Sequence, residues 1–154
     1  MSVKLEDLKP QVMAAAVLAL QELKQANFPV IVTYTLRTDA EQIALYAQGR
    51  KTLKEVNALR AVAGLYQIKE YLGKDKKTHS DNDYSVTNCD GVKNKSPHQG
   101  GTAIDVVPLV SGVAVWPAPS DPRWKGISDV FKKHGFEWGG DWHSFPDLPH
   151  YQMN

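Results

Sequence analysis

The chain has 154 residues, a formal net charge of +1 and one cysteine, Cys89. This length predicts a single domain with one core, and the near-neutral charge, with no glycine-rich phosphate loop or basic helix, excludes the usual kinds of nucleic-acid-binding protein. A lone cysteine excludes an intramolecular disulfide and fits a reducing compartment.

Apolar spacing along the chain predicts an α+β domain over residues 1–154. Helices are predicted at about 5–26, 39–48 and 122–134, strands at 30–35, 102–107 and 112–116, and extended segments around Trp138 and at His150–Gln152. The second helix has a well-marked start, because Thr38 is a good N-cap and Glu41, three residues later, completes a capping box. Gly49 ends that helix, and Gly135 ends the last one after a basic final turn.

A predicted metal site is the most informative feature of the sequence. His98, Asp105 and the distant His150 supply two imidazoles and one carboxylate, a set that leaves the fourth tetrahedral position open, as in catalytic zinc sites. Gly100 and Gly101 allow the chain to turn after His98 and to enter a strand that carries Asp105 back towards it. Asp105 stands in an apolar run, where a carboxylate is costly to bury unless it is paired or bound to metal. Taken alone, Asp105 could instead be a buried carboxylate hydrogen-bonded to a turn, and His98 could be a core histidine with its hydrogen bonds satisfied.

The same residues resemble a known family. The spacing SxHxxGxAxD that starts at Ser96, followed by DxPH from Asp147 to His150, resembles the LAS-type zinc peptidases. That group includes D-alanyl-D-alanine dipeptidases and carboxypeptidases and the L-alanyl-D-glutamate peptidase endolysins of phages, and the resemblance is closest to the endolysins. Further similar stretches, in the family's order, are Arg37–Gln42, Leu45–Arg50, Val86–Asn88 and Phe136–Trp142. The resemblance implies a Hedgehog/D-Ala-D-Ala-peptidase-like fold, an antiparallel sheet flanked by helices, with Zn²⁺ held by His98, Asp105 and His150.

Asp147 is the general base that the resemblance implies. It lies three residues before His150, and Pro149 excludes a regular helix there, so the carboxylate could approach the attacking water. Glu137 and Asp141 are competing candidates for the base. Their alternative roles are a solvated charge at a strand end for Glu137 and a turn-stabilising carboxylate for Asp141.

Arg37 is the residue that the resemblance places against substrate. It follows an apolar strand and precedes a helix N-terminus, from where its guanidinium could hold a developing oxyanion or a substrate carboxylate. An ordinary surface arginine is the alternative. Gln42 and Ser96 are further candidates for hydrogen bonds to the peptide substrate.

The chain departs from the endolysin pattern between Arg50 and Val86, where endolysins of this type usually have a short loop. Here Leu53–Leu72 has helical apolar spacing and residues 73–83 are polar. We interpret residues 51–83 as an inserted helix followed by a mobile loop. Such an insertion is either a lid near the site or a helix packed away from it.

The resemblance implies a zinc-dependent peptidase that cleaves the peptide stem of peptidoglycan. The form expected first is an L-alanyl-D-glutamate endopeptidase, a phage or prophage endolysin that lyses its host. A D-Ala-D-Ala carboxypeptidase is the enzymatic alternative, and a non-catalytic zinc or peptidoglycan-binding module is the alternative from another class. Presence of both the ligand set and Asp147 argues against the module.

The expected location follows from the start of the chain. Residues 1–7 lack the cationic and apolar regions of a signal peptide, and no apolar run reaches the length of a membrane span. We therefore expect a monomer made in the host cytoplasm, without membrane insertion, which reaches the periplasm or cell wall through a holin. A housekeeping carboxypeptidase usually needs export, so this feature favours the endolysin.

Overall fold

Seven strands and four helices follow one another along residues 1–154, all of which the computed structural model describes. The helices are α1 (Pro10–Gln25), α2 (Asp39–Ala47), α3 (Leu53–Val62) and α4 (Pro122–Lys133); the strands are β1 (Val30–Tyr34), β2 (Glu70–Leu72), β3 (Thr78–Ser80), β4 (Ala103–Val110), β5 (Val113–Ala114), β6 (Glu137–Trp138) and β7 (His150–Gln152). Four short 3-10 turns connect them, at Leu5–Asp7, Asp81–Asp83, Pro97–Gly100 and Gly139–Asp141. None of the helices has the length and apolar character needed to cross a bilayer.

β4 is the central strand of the larger sheet. It lies between β1 and β7, pairs antiparallel with both, and pairs at its end with the short β5, while β6 continues the sheet beyond β7. The register places Asp105 of β4 opposite His150 of β7, although the two residues are 45 positions apart in the sequence. The expected α+β class and antiparallel sheet are confirmed, and β4 extends to Val110, beyond the predicted residue 107.

The first helix starts later than predicted. Leu5–Asp7 form a separate 3-10 turn, and Pro10 occupies the first turn of α1, where its missing N–H leaves no bond unmade. At the other end, Asn27 adopts a φ of 54° and the N–H of Phe28 donates to the carbonyl of Leu23 at 2.8 Å. This left-handed turn ends the helix close to the predicted position.

Contacts divide the chain into two compact units, residues 2–36 with 100–154, and residues 37–99 with Met1. In the first unit α1, α4, β4 and β7 share a core that includes Val12, Leu23, Ile104, Val106, Trp124, Phe131 and Tyr151. The ring of Phe131 stacks on Tyr151, with ring centroids 4.3 Å apart, an arrangement that adds about 0.5–1.5 kcal/mol beyond the area buried. Since successive side chains of a strand point to opposite faces, Tyr151 anchors β7 while His150 faces the other way.

The predicted inserted segment, residues 51–83, has more structure than a helix and a loop. α3 ends at Val62, well before residue 72, because the N–H of Leu65 donates back to the carbonyl of Arg60 at 2.8 Å and closes the helix. The polar stretch 73–83 forms the turn and second strand of the β2–β3 hairpin and then a 3-10 turn. That this segment is an insertion stays a prediction.

The second unit is organised around α2 and α3. Both helices start with a capping box, at Thr38 as predicted and at Thr52. A small core contains Ala47, Val56 and Ile68. Asn57 of α3 fastens the following segment, since its amide donates to the carbonyl of Ile68 at 2.9 Å and accepts from the N–H of Ile68 at 2.8 Å. These contacts order the segment, and the choice between a lid near the site and a helix packed away from it stays a prediction.

Candidate metal and catalytic site

The three side chains predicted to bind a metal lie together. For His98, Asp105 and His150, one ligand atom of each residue lies within 4.8 Å of the other two. The histidines are buried, with 2% and 4% of their surface exposed, and Asp105 is half-buried. Two imidazole nitrogens and a carboxylate oxygen are donors that zinc accepts, and three protein ligands leave one coordination position open. Their assignment as ligands stays a prediction.

Gly101 makes the turn that leads from His98 into β4. His98 lies in the 3-10 turn Pro97–Gly100. Gly101 has a φ of 65°, and a Cβ at this position would lie 3.1 Å from the carbonyl oxygen of Asp7. Gly100 has open space around it and an ordinary φ. Gly101 alone therefore has the backbone conformation that requires glycine, whereas the sequence analysis had assigned the turn to both Gly100 and Gly101.

Ser96 holds the same turn from its other end. Its hydroxyl accepts a hydrogen bond from the N–H of His98 at 3.4 Å, and its own N–H donates to the side-chain oxygen of Gln99 at 2.9 Å. The side chain of Ser96 is buried. It therefore caps the turn that carries His98, and its predicted contact with substrate stays a prediction.

The ring of His150 has a hydrogen-bond partner on each side. Nδ1 lies 3.2 Å from Oδ1 of Asp105, and Nε2 lies 3.1 Å from Oε1 of Gln152. Burial by itself would lower the pKa of His150, but the hydrogen bond and charge of Asp105, the hydrogen bond of Gln152 and the charge of Asp147 together raise it. The site is therefore electronegative around this imidazole, which suits a bound cation.

Asp147 is held beside the third predicted ligand. Its N–H donates to the carbonyl of Gly139 at 3.0 Å, and its own carbonyl accepts from the N–H of His150 at 3.3 Å. Its side chain is half-buried, and its charge acts on the His150 ring. These contacts place a carboxylate near the predicted metal ligands, while its role as general base stays a prediction.

The two competing carboxylates are each held by other side chains. Glu137 is exposed and accepts hydrogen bonds from the side-chain amides of Gln152 at 3.3 Å and Asn154 at 2.8 Å. Asp141, with 54% of its side chain exposed, forms an ion pair with Lys132 at 2.6 Å. Both groups have partners at the surface, so the arrangement favours Asp147 as the base.

Arg37 and Gln42, both predicted to contact substrate, are bonded to each other. Nη1 of Arg37 donates to Oε1 of Gln42 at 2.8 Å. Gln42 is fully buried, and its Nε2 donates to the hydroxyl of Thr87 at 3.2 Å and to the carbonyl of Cys89 at 2.7 Å. The N–H of Arg37 also donates to the carbonyl of His98 at 3.2 Å. Gln42 therefore braces Arg37, and the contact of either residue with substrate stays a prediction.

Gly139 and Gln152 are site residues that sequence reasoning missed. The glycine pair within Phe136–Trp142 was the available signal for Gly139, but spacing alone does not show what the glycine approaches. In the structure a Cβ on Gly139 would lie 2.5 Å from the carbonyl oxygen of Asp147 and 3.1 Å from the Cβ of His150. Only a glycine at position 139 allows Asp147 and His150 to approach this part of the backbone so closely.

Gly139→Ala is accordingly expected to push the Asp147–His150 turn out of place. A displacement of several tenths of an ångström to 1 Å at a catalytic group lowers turnover by about 10- to 100-fold. Steady-state kinetics on muropeptides, together with thermal unfolding, would measure this effect. Gly100→Ala is the matched control, because its Cβ meets nothing within 4 Å. Parental turnover in the Gly139 variant would show that the close approach has no catalytic importance.

Comparison with known proteins relates the whole arrangement to peptidases. A family model described as D-alanyl-D-alanine carboxypeptidase matches residues 90–153. The chain is 30% identical over 131 residues to the peptidoglycan L-alanyl-D-glutamate endopeptidase CwlK of Bacillus subtilis (strain 168), covering 80% of this chain and 60% of that protein. It is 40% identical over 60 residues to the L-alanyl-D-glutamate peptidase of Listeria phage A118, covering 39% of this chain and 21% of that protein. The chain thus spans less than two thirds of the length of either relative.

Solved structures share the fold. The L-Ala D-Glu endopeptidase ChiX of Serratia marcescens superposes with a TM-score of 0.56 at 23% identity, covering 97% of this chain and 83% of that one. The vancomycin-resistance D,D-pentapeptidase VanY, determined in complex with Zn(II), superposes with a TM-score of 0.55 at 13% identity, covering 95% and 72%. These matches confirm the D-Ala-D-Ala-peptidase-like fold. The family model and the two relatives therefore relate this chain to the LAS-type zinc peptidases that its motifs resemble.

Proposed function

We propose that this chain is a zinc-dependent peptidase that cleaves the stem peptide of peptidoglycan between L-Ala and D-Glu. The observation that carries the proposal is the cluster of His98, Asp105 and His150 with Asp147 beside it. Both sequence relatives carry names that specify the L-alanyl-D-glutamate bond, which supports this choice of substrate.

The donor atoms of the cluster fit zinc. Ligand atoms that share one tetrahedral zinc at about 2.0–2.2 Å lie roughly 3.3–3.6 Å apart. Nδ1 of His150 and Oδ1 of Asp105 are 3.2 Å apart, and the third donor, from His98, lies within 4.8 Å of both. When bound, zinc supplies a Lewis acid that activates water and polarises the scissile carbonyl. Small movements of the side chains would complete the set.

The remaining steps belong to the side chains around the cluster. Asp147 takes the proton of the attacking water on its carboxylate and delivers it to the nitrogen of the leaving D-Glu residue. Arg37, braced by Gln42, presents its guanidinium to negative charge on the substrate. Because Gln42 already fixes one N–H group of the planar guanidinium, Arg37 loses less side-chain entropy when substrate binds.

The biological setting that we propose is a phage or prophage endolysin. The phage relative supports this setting. The enzyme would act as a monomer on the cell wall, reach it with the help of a holin, and cause host lysis. Lysis of the host after expression, only when a holin is expressed with the chain, is the corresponding observation.

Mass spectrometry of muropeptides after digestion tests the bond specificity. Cleavage between L-Ala and D-Glu leaves L-Ala on the muramyl fragment and releases a peptide that begins with D-Glu. Loss of terminal D-Ala alone would instead identify a carboxypeptidase, the alternative that the description of the family model favours. Intact muropeptides after incubation with the zinc-loaded protein would favour the non-catalytic module.

A further inference from the structure

A chain of hydrogen bonds runs from the protein surface to the ring of His150. Nε2 of His150 lies 3.1 Å from Oε1 of Gln152, and Nε2 of Gln152 donates to Oε2 of Glu137 at 3.3 Å. The other carboxylate oxygen of Glu137 accepts from the side-chain amide of Asn154 at 2.8 Å. The pairing of β6 with β7 places Glu137 opposite Gln152, and residues two apart on β7 share one face.

The direction of each bond follows from the chemistry of Glu137. An ionised carboxylate only accepts hydrogen bonds, so Gln152 must turn its NH₂ group towards Glu137. Its carbonyl oxygen then faces His150 and can only accept. Nε2 of His150 therefore carries the hydrogen, and in the neutral ring Nδ1 carries the lone pair.

That lone pair faces a carboxylate. Nδ1 of His150 and Oδ1 of Asp105 are 3.2 Å apart, and both atoms are acceptors in this tautomer. In the charged ring, the hydrogen on Nδ1 makes the hydrogen bond to Asp105 described above. In the neutral ring, the two acceptors repel each other unless a cation lies between them, and a metal ion at that point would satisfy both. The opposite tautomer would place a hydrogen on Nδ1 and block the metal position.

We propose that Gln152 is a positioning residue of the metal site. It fixes the tautomer and orientation of His150 so that Nδ1 carries the lone pair that a divalent metal would bind, and Glu137 in turn fixes the Gln152 amide. The proposal rests on the proposed function in one respect, since it assumes that His150 is a metal ligand. It gives Glu137 a role that differs from that of a general base.

Four variants separate this role from general packing. Gln152→Leu keeps much of the side-chain volume and removes the acceptor, so zinc affinity is expected to fall by about 10- to 100-fold, the usual effect of losing a partner that orients a metal-bound histidine. The exchange Glu137→Gln with Gln152→Glu restores a donor at 137 and an acceptor at 152, and is expected to keep the parental affinity. The zinc affinity of Glu137→Gln alone should lie between those of these two variants, because the Gln152 amide can then flip. Gln21→Leu, the same change at an exposed glutamine of α1 outside this chain of hydrogen bonds, is the control and should bind zinc as the parent does.

Two measurements test the variants. Zinc dissociation constants come from competition with a chromophoric chelator. ¹⁵N NMR of the imidazole in the metal-free protein, at a pH where the ring is neutral, reports the tautomer directly. The parent and the double variant are expected to show hydrogen on Nε2, and Gln152→Leu a mixture of tautomers.

The outcomes are distinguishable from failure of the proposed function. A parent that binds no zinc would overturn the proposed function, while the NMR result would still decide the tautomer. Parental zinc affinity together with the parental tautomer in Gln152→Leu would overturn the role of Gln152 and leave the peptidase intact. If Gln152→Leu does not fold, hydrogen on Nδ1 in the parent, or weak zinc binding by the double variant, would overturn it equally.

Discussion

Asp147→Asn is expected to lower turnover on muropeptides by about 10²- to 10⁴-fold, the usual contribution of a general base. The substitution keeps the size and shape of the side chain and removes the group that takes the proton. The backbone bonds of residue 147 to Gly139 and His150 do not involve the side chain, so the turn is expected to persist. Zinc content, measured by elemental analysis, should equal that of the parent because three other donors are present.

Two matched amide variants provide the controls for this prediction. Glu137→Gln and Asp141→Asn each remove one negative charge from a competing candidate, and both of these residues have partners at the surface. At saturating zinc, each variant should lower turnover much less than Asp147→Asn does. An active Asp147→Asn beside an inactive Glu137 or Asp141 variant would move the base to that residue. Loss of zinc from Asp147→Asn would instead identify Asp147 as a metal ligand.

The sequence predicted which three side chains come together better than it predicted their contacts. His98, Asp105 and His150 could be found because their types and spacing match a metal-binding pattern and because Asp105 stands in an apolar run. That His150 lies directly opposite Asp105 depends on the register between β4 and β7, which only the folded sheet defines. The capping box of α2 was predicted because capping is a local interaction between Thr38 and Glu41.

Non-local bonds account for what the sequence did not reveal. Gln42 and Arg37 are five residues apart, and nothing in that spacing shows that the Gln42 amide is buried and shared between Arg37 and Cys89. The end of α3 was misplaced because Leu65 and Ile68 continue the helical apolar spacing after the chain has already turned back. These two residues are buried through tertiary contacts and not through a continued helix.

Removal of the metal is the second change with a large expected effect. The purified protein should contain about one zinc per chain, lose activity to a chelator and regain it when zinc is added. His98→Ala or His150→Ala should abolish tight zinc binding, because each leaves two protein donors where catalytic zinc uses three. His143→Ala is the matched control, since His143 is exposed and lies outside the cluster.

Zinc should also raise the unfolding free energy of the chain. It binds the folded chain, whereas the three donor residues are far apart in the unfolded chain. At a free zinc concentration 100 times the dissociation constant, the gain in unfolding free energy is about 2.7 kcal/mol. Thermal unfolding with and without chelator should therefore show a higher midpoint for the zinc-loaded parent and no difference for His98→Ala. Full zinc content and a zinc-dependent midpoint in both His98→Ala and His150→Ala would contradict the assigned ligands, since a buried imidazole that is dispensable for the metal belongs to the core and not to the site.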